Sequence, residues 1–163
     1  MNIIEWHDFF IATGGAAAAL TGLLFVGVSI SLEKILSIPT LPERAIISLS
    51  LLLTILILSI LVLVPGQPIG VVALEILVVA ILSWILISKI DINTYNNKDR
   101  IHRRKLHRVN MLLDQVSLLP YIICSVFLLA NSENGLYWIV PAFIFSFLKA
   151  VLDAWVLLVE INR

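Results

Sequence analysis

Five stretches of predominantly apolar residues, each at least 20 residues long, constrain the fold of this chain more than any other feature. They cover residues 9–32, 45–64, 69–90, 110–130 and 136–160. The hydrocarbon core of a bilayer is about 30 Å thick, and about 20 apolar residues in a helix cross it. The stretches therefore predict an all-α fold: a polytopic transmembrane helix bundle of five spans that forms a single domain over residues 1–163.

The composition excludes a soluble domain. The chain is 60% hydrophobic and only 13% charged, with a mean hydropathy of +1.04, whereas soluble domains average about 45–50% apolar and 25% charged residues. A chain of 163 residues has too much surface for its volume to bury that many apolar side chains in water. The first apolar stretch follows no Lys or Arg, so we interpret it as a retained span and not as a cleaved signal peptide.

The distribution of basic residues predicts the orientation of the spans. With five spans, the amino terminus and the turns at 65–68 and 131–135 share one side, and that side has no Lys or Arg. The other side receives 10 of the 11 basic residues, among them Arg44 in the predicted loop between the first two spans, and the eleventh, Lys149, falls inside a span. Because short cytoplasmic loops collect Lys and Arg, we expect the amino terminus outside, the carboxyl terminus inside, and a location in the inner (plasma) membrane. The alternative is that residues 45–90 form a hairpin that re-enters the membrane, but each half is long enough to cross.

Several sequence strings resemble a known family. They are AAAALTGLLFVGVSISLEKIL, LPERA and LVPGQ, then Gly70 with a downstream Glu75, and finally WVLLVEINR. This pattern resembles a group of small multi-pass bacterial membrane proteins, some of which carry the label modulator of FtsH protease. The match covers the first two spans and their loops well and the last span more loosely. The resemblance implies a helical membrane protein, and it brings no activity, cofactor or site residue.

Three ionisable residues in the last two spans form a candidate buried charge cluster. Lys149 and Asp153 are four residues apart, so they share a helix face, and Asp114 lies at a similar depth on the preceding span. An antiparallel pair joined by the short turn at 131–135 would bring the three together. A charge inside the membrane is costly and usually has a partner. The cluster is either an ion network that fixes the packing of two helices or part of a hydrated ion or proton path.

A fourth carboxylate, Glu75, lies six residues into the third span from its outer end. One interpretation is that Glu75 reaches water or bonds Thr13 on the first span. The other is that it serves as an outer-leaflet cation ligand, as rings of carboxylates do in channels. A single carboxylate makes a poor cation site, so the second interpretation requires an oligomer.

Two further features predict contacts of the bundle. Gly14, Ala18 and Gly22 recur every four residues and let another helix approach closely, either within the chain or from a second subunit. The predicted cytoplasmic loop 91–109 overlaps the segment 89–108, which has seven Lys or Arg against two Asp. We interpret it as a topology signal and then as a binding patch for anionic lipid headgroups, ahead of nucleic acid. The residues expected to contact headgroups are Arg100, Arg103, Arg104, Lys105 and Arg108.

The sequence predicts no enzyme, cofactor or metal centre. It contains no HExxH or GxSxG motif, and its single cysteine, Cys124, excludes an intrachain disulfide or a cysteine zinc cluster. Two functions stay open. The first is an oligomeric channel or transporter for ions or protons that uses the buried charges. The second is a regulator or scaffold of a larger membrane protein complex. We expect the partners to be the lipid bilayer, anionic lipid headgroups, a second copy of the chain and such a complex. We do not expect nucleic acid to be a partner.

Overall fold

The computed structural model describes residues 6–38, 41–96, 104–130, 132 and 134–161, with the side chains of 95, 96, 104–107 and 161 excepted. Within these residues the chain forms helices and turns and no strand. The helices are α1 (His7–Ile30), α2 (Leu32–Ser37), α3 (Leu41–Val62), α4 (Ile69–Asn96), α5 (Arg104–Leu129) and α6 (Ile139–Ile161). A short 3₁₀ helix, Gly135–Trp138, precedes α6.

Five of these helices, all except the six-residue α2, are long and apolar enough to cross a membrane. The predicted all-α bundle of five spans is therefore confirmed, and the chain is a multi-pass membrane protein. Its orientation stays a prediction. Two details differ from the sequence analysis. The first span ends at Ile30 and is followed by the separate helix α2, and α4 continues six residues past the predicted boundary at residue 90.

Local sequence explains where the long helices end. Pro65 and Pro68 cannot donate a backbone hydrogen bond, and Gly66 adopts a φ of 78°, which only glycine adopts readily. The chain therefore reverses between α3 and α4. The 3₁₀ helix before α6 packs against both α5 and α6. The end of the bundle with these two connections is called the turn end, and the opposite end, where α3 and α5 begin, is called the loop end.

The bundle has a four-helix centre with one helix outside it. Helix α3 packs against α4 and α6, and α5 packs against α4 and α6, which closes a ring of four helices. Helix α1 packs mainly against the outer side of α3. The interior of the turn half is apolar and aromatic, with the Phe143 ring 5.8 Å from Phe9 and 6.0 Å from Phe10 between ring centroids. Polar side chains concentrate in the loop half of the ring.

Candidate functional site

One face of α6 carries a lysine and an aspartate into the interior of the bundle. Ala142, Ser146, Lys149, Ala150 and Asp153 are all buried, and each lies three or four residues from another member of this set. Such spacing keeps side chains on one face of a helix. The Lys149 ammonium donates a hydrogen bond to Asp153 Oδ2, one helical turn further along. The two alanines leave room for the neighbouring helices to approach this face.

Helix α5 supplies the second acid of the cluster. Asp114 lies on a buried face with Ser117, Tyr121 and Ser125. Its Oδ1 atom is 2.9 Å from Lys149 Nζ, so one ammonium links carboxylates on two helices. The structure thus brings together the three residues that the sequence analysis placed in a cluster. The side chains of Lys149, Asp114 and Asp153 are 4%, 1% and 3% exposed, which makes this a buried ion network.

Helix α3 contributes a residue that the sequence analysis missed. Arg44 Nη1 donates a hydrogen bond to Asp153 Oδ1 at 3.2 Å, and its side chain is 23% exposed. The Asn110 amide oxygen, oriented toward the guanidinium, accepts a hydrogen bond from Arg44 Nη2 at 3.0 Å. The sequence analysis counted Arg44 only as a loop charge. Its position three residues into α3 places it at the edge of the buried network instead.

Helix α4 contributes Asp91, and here the predicted boundary was wrong. The sequence analysis assigned residues 91–109 to a cytoplasmic loop, but 91–96 belong to α4 and 104–109 to α5. Asp91 and Thr94 are therefore held on a helix and are buried against the bundle. Long helices that extend past the apolar stretch carry these polar groups into the same interior as Lys149. The cluster consequently receives an ionisable side chain from each of the four central helices.

These side chains surround a small cavity at the loop end. Its volume is about 50 Å³, and its lining includes residues from all four central helices: Glu43, Arg44, Ile47, Asp91, Thr94, Asn110, Asp114, Lys149 and Asp153. A cavity needs roughly 10–15 Å³ to hold one water molecule, so this one has room for about three or four. The Oδ2 atom of Asp114 is buried and accepts no hydrogen bond. A carboxylate oxygen without a donor beside such a cavity is a natural place for water or a cation.

Hydroxyl groups continue from the cluster toward the middle of the bundle. Ser117 lies three residues after Asp114 on α5, and Ser146 lies three residues before Lys149 on α6. Both serines are buried at the α5–α6 contact. Ser117 Oγ donates to the Phe145 carbonyl at 3.2 Å, and Ser146 Oγ lies 3.0 Å from Tyr121 Oη. Beyond this tyrosine the core becomes aromatic, with the Phe143 ring centroid 6.0 Å from that of Tyr121. The polar column thus begins at the loop end and stops near the middle of the bundle.

The predicted contact between Glu75 and Thr13 is wrong. Glu75 Oε1 accepts a hydrogen bond from Gln67 Nε2 at 3.0 Å, close to the turn between α3 and α4. The Thr13 hydroxyl instead donates to the Phe9 carbonyl at 2.8 Å and lies 3.4 Å from Ser59 Oγ. The reason is the arrangement of the helices, because α1 packs on the outer side of α3.

The predicted small-residue face of α1 is only partly a packing face. Gly14 is buried, and a Cβ atom at this position would lie 3.0 Å from Ser59 Cβ on α3. Ala18 and Gly22 are exposed on the single chain, and nothing lies within 4 Å of a Cβ at Gly22. A spacing of four residues rotates by about 40° per step around a helix, so the stripe leaves the contact with α3. The buried residues of α1 are Phe10, Gly14 and Ala17.

Four of the five predicted headgroup-binding residues lie outside the described part of the chain or have no described side chain. Arg100 and Arg103 lie outside the described residues, and Arg104 and Lys105 belong to α5 without described side chains. Arg108, also on α5, is exposed at the loop end. The lipid-binding patch therefore stays a prediction.

Comparisons with known proteins assign no function to this site. No family model, curated protein or solved structure matches the chain, so the family resemblance stays a prediction. Among the described residues, no group of three or more His, Cys, Asp or Glu side chains is arranged to hold a metal ion.

Proposed function

We propose that this chain is a non-enzymatic protein of the inner (plasma) membrane that moves protons or small ions through the charge cluster. The observation that carries the proposal is the meeting of ionisable side chains from α3, α4, α5 and α6 around one cavity of about 50 Å³. Ionisable groups at membrane depth are costly and typically mark ion and proton pathways. Two carboxylates that share one ammonium form a network through which a proton or a cation can be exchanged.

The cavity favours this function over a purely structural ion network. Protein interiors pack as densely as organic crystals, and a network that only joined α5 to α6 would need no space beside it. Here the space is lined by charged and polar groups, and Asp114 Oδ2 accepts no hydrogen bond next to it. Arg44 and Asn110 are partly exposed at the loop end, so they form the side from which an ion would enter.

A complete path needs more than this conformation of a single chain. The polar column stops at Tyr121, where Phe143 and Phe10 fill the turn half of the bundle. Transport therefore involves either a second conformation in which this aromatic layer opens or an oligomer that provides the rest of the path. The size of the chain favours the oligomer.

Flux measurements in proteoliposomes test the proposal. We expect the purified protein to dissipate an imposed proton or alkali-cation gradient, as followed by a trapped pH-sensitive dye or an ion-selective electrode. Asp153→Asn and Lys149→Met should lower this flux to the rate of empty liposomes, because each removes a charge at the cavity. Asp8→Asn is the matched control, since Asp8 is a fully exposed acid outside the cluster. Wild-type flux equal to that of empty liposomes, or full flux in both cluster variants, contradicts transport through this site.

A regulatory or scaffolding role is the second candidate function. Its supporting observation is the side of α1 turned away from the bundle, where Ala18 and Gly22 are exposed and small enough for a partner helix to approach closely. If this role is correct, the purified protein gives no flux and Gly22→Leu prevents co-purification with a larger membrane complex.

A further inference from the structure

The Lys149 ammonium occupies the place that a bound cation would take between Asp114 and Asp153. We infer that the cavity is a binding site for a partly dehydrated monovalent cation, which competes with the Lys149 proton for these two carboxylates. This inference rests on the proposed function and specifies its substrate as an alkali cation exchanged for a proton. It follows from the contacts of Lys149, the size of the cavity and the charges of the cluster.

The contacts show how a cation would be held. Lys149 Nζ lies 2.9 Å from Asp114 Oδ1 on α5 and is bonded to Asp153 Oδ2 on α6. The remaining oxygen of Asp153 is held by Arg44, which fixes that carboxylate in place. The remaining oxygen of Asp114 accepts no hydrogen bond. When the ammonium loses its proton, carboxylate oxygens on two helices remain beside the cavity, and Arg44 still holds that of Asp153.

The size and ligands of the cavity select the class of cation. A volume of about 50 Å³ admits an alkali cation with a few waters, or an ammonium ion, but not a larger organic cation. The Thr94 hydroxyl and the Asn110 amide add neutral polar groups to the lining. A divalent cation such as Ca²⁺ takes six to eight oxygen ligands, more than the two carboxylates that contact Lys149 provide. The geometry therefore fits a monovalent ion.

Repulsion between a bound cation and the Lys149 ammonium accounts for the release of a proton. The ion-paired groups Arg44, Asp114, Lys149 and Asp153 carry two charges of each sign, and Glu43 on α3 and Asp91 on α4 are two further acids that face the cavity. A cation held by the Asp114 and Asp153 oxygens would lie beside the ammonium, and like charges in contact in a buried site repel strongly. This repulsion is removed when Lys149 transfers one proton to water and becomes a neutral amine.

Proton release measured during cation binding tests the inference. The wild-type protein, in detergent with weak buffer and a pH indicator dye, is titrated with NaCl, KCl or LiCl against N-methyl-D-glucamine chloride at equal ionic strength. We expect at least one of the three salts to release about one proton per chain in a saturable manner. Because one proton and one cation compete for the site, the apparent cation affinity should rise about tenfold per pH unit over the pH range in which proton release is observed.

Two variants identify the residue that releases the proton. Lys149→Arg should abolish the release, since a guanidinium keeps its proton at any accessible pH. Asp114→Asn should weaken cation binding, because it removes a charged ligand. Lys89→Arg is the matched control, as Lys89 is exposed on α4, and it should behave as the wild type.

The outcomes separate this inference from the proposed function. Absence of proton release with all three salts overturns the inference, and so does full release in Lys149→Arg. If that variant does not fold, a wild-type cation affinity that is independent of pH overturns it equally. Proton flux in proteoliposomes without cation-linked proton release would leave the transport proposal standing and remove the cation site. Cation-linked proton release without flux would support the cation site and contradict the transport proposal.

Discussion

Lys149 is the residue on which the buried ion network depends. Its ammonium joins Asp114 of α5 to Asp153 of α6 in an interior where each of the three side chains is at most 4% exposed. In such surroundings the loss of one partner leaves a buried charge without compensation, and that penalty exceeds the net value of the pair itself. We therefore expect the network to contribute more to the specificity of the α5–α6 packing than to stability.

We expect Lys149→Met to lower the free energy of unfolding by about 3–5 kcal/mol. Both aspartates lose their ammonium partner in this variant, and only Asp153 keeps Arg44. Adding Asp114→Asn should recover about 1–3 kcal/mol, because it removes the carboxylate that was left alone. Titration with sodium dodecyl sulfate in mixed micelles, followed by tryptophan fluorescence, measures these differences. Lys89→Met serves as the control, and strictly additive effects of the two substitutions would contradict a coupled network.

At the scale of helices, α1 is attached to the bundle chiefly through its contact with α3. Gly14 allows a close approach to Ser59, and Thr13 lies beside the same serine. The remaining surface of α1 is largely exposed, including Ala18 and Gly22. Without a hydrophobic effect between helices in lipid, close packing at small residues is a main source of association.

Gly14→Leu should therefore weaken the attachment of α1, whereas Gly22→Leu should not. The larger side chain at Gly14 meets Ser59 and forces the helices apart, at a cost of about 1–3 kcal/mol. Nothing lies within 4 Å of a Cβ atom at Gly22, so the same substitution is tolerated there. Thermal unfolding together with limited proteolysis of the amino-terminal segment distinguishes the two variants. Equal destabilisation by both would mean that the exposed side of α1 is also a packing surface.

Helical periodicity predicted the contacts between α5 and α6 but not the contacts that these two helices make with α3 and α4. The intervals among Asp114, Lys149 and Asp153 place them on facing surfaces of two helices joined by a short turn, which is information local to the sequence. Arg44 and Asp91 reach the same cavity from helices that are distant along the chain, and both lay at predicted loop boundaries. The interpretation that Glu75 bonds Thr13 failed for the same reason, because the position of a residue along its span does not determine which helices are neighbours.

For the whole molecule, the charge cluster lies at the same end of the bundle as residues 89–96 of α4 and 104–108 of α5. α4 ends and α5 begins at this loop end, where Arg44 and Asn110 form the partly exposed side of the cavity. The sequence predicts that this end faces the cytoplasm, since 10 of the 11 basic residues fall on that side. If so, ions enter the cavity from the cytoplasm, and the aromatic layer of the turn half separates them from the outside.

Cysteine labelling in cells tests this orientation directly. In a Cys124→Ala background, we expect Val64→Cys to react with a membrane-impermeant maleimide in intact cells, because Val64 is exposed at the turn end, predicted to face outward. Glu33→Cys, exposed on α2 at the loop end, should react only after the cells are permeabilised. Cys124 is buried and is the single native cysteine, so its replacement removes background without altering the surface. The reverse labelling pattern would mean that the cavity faces the outside and that ions enter from that side. Reaction of both cysteines in intact cells would mean a mixed orientation, in which the excess of basic residues at the loop end does not determine the topology.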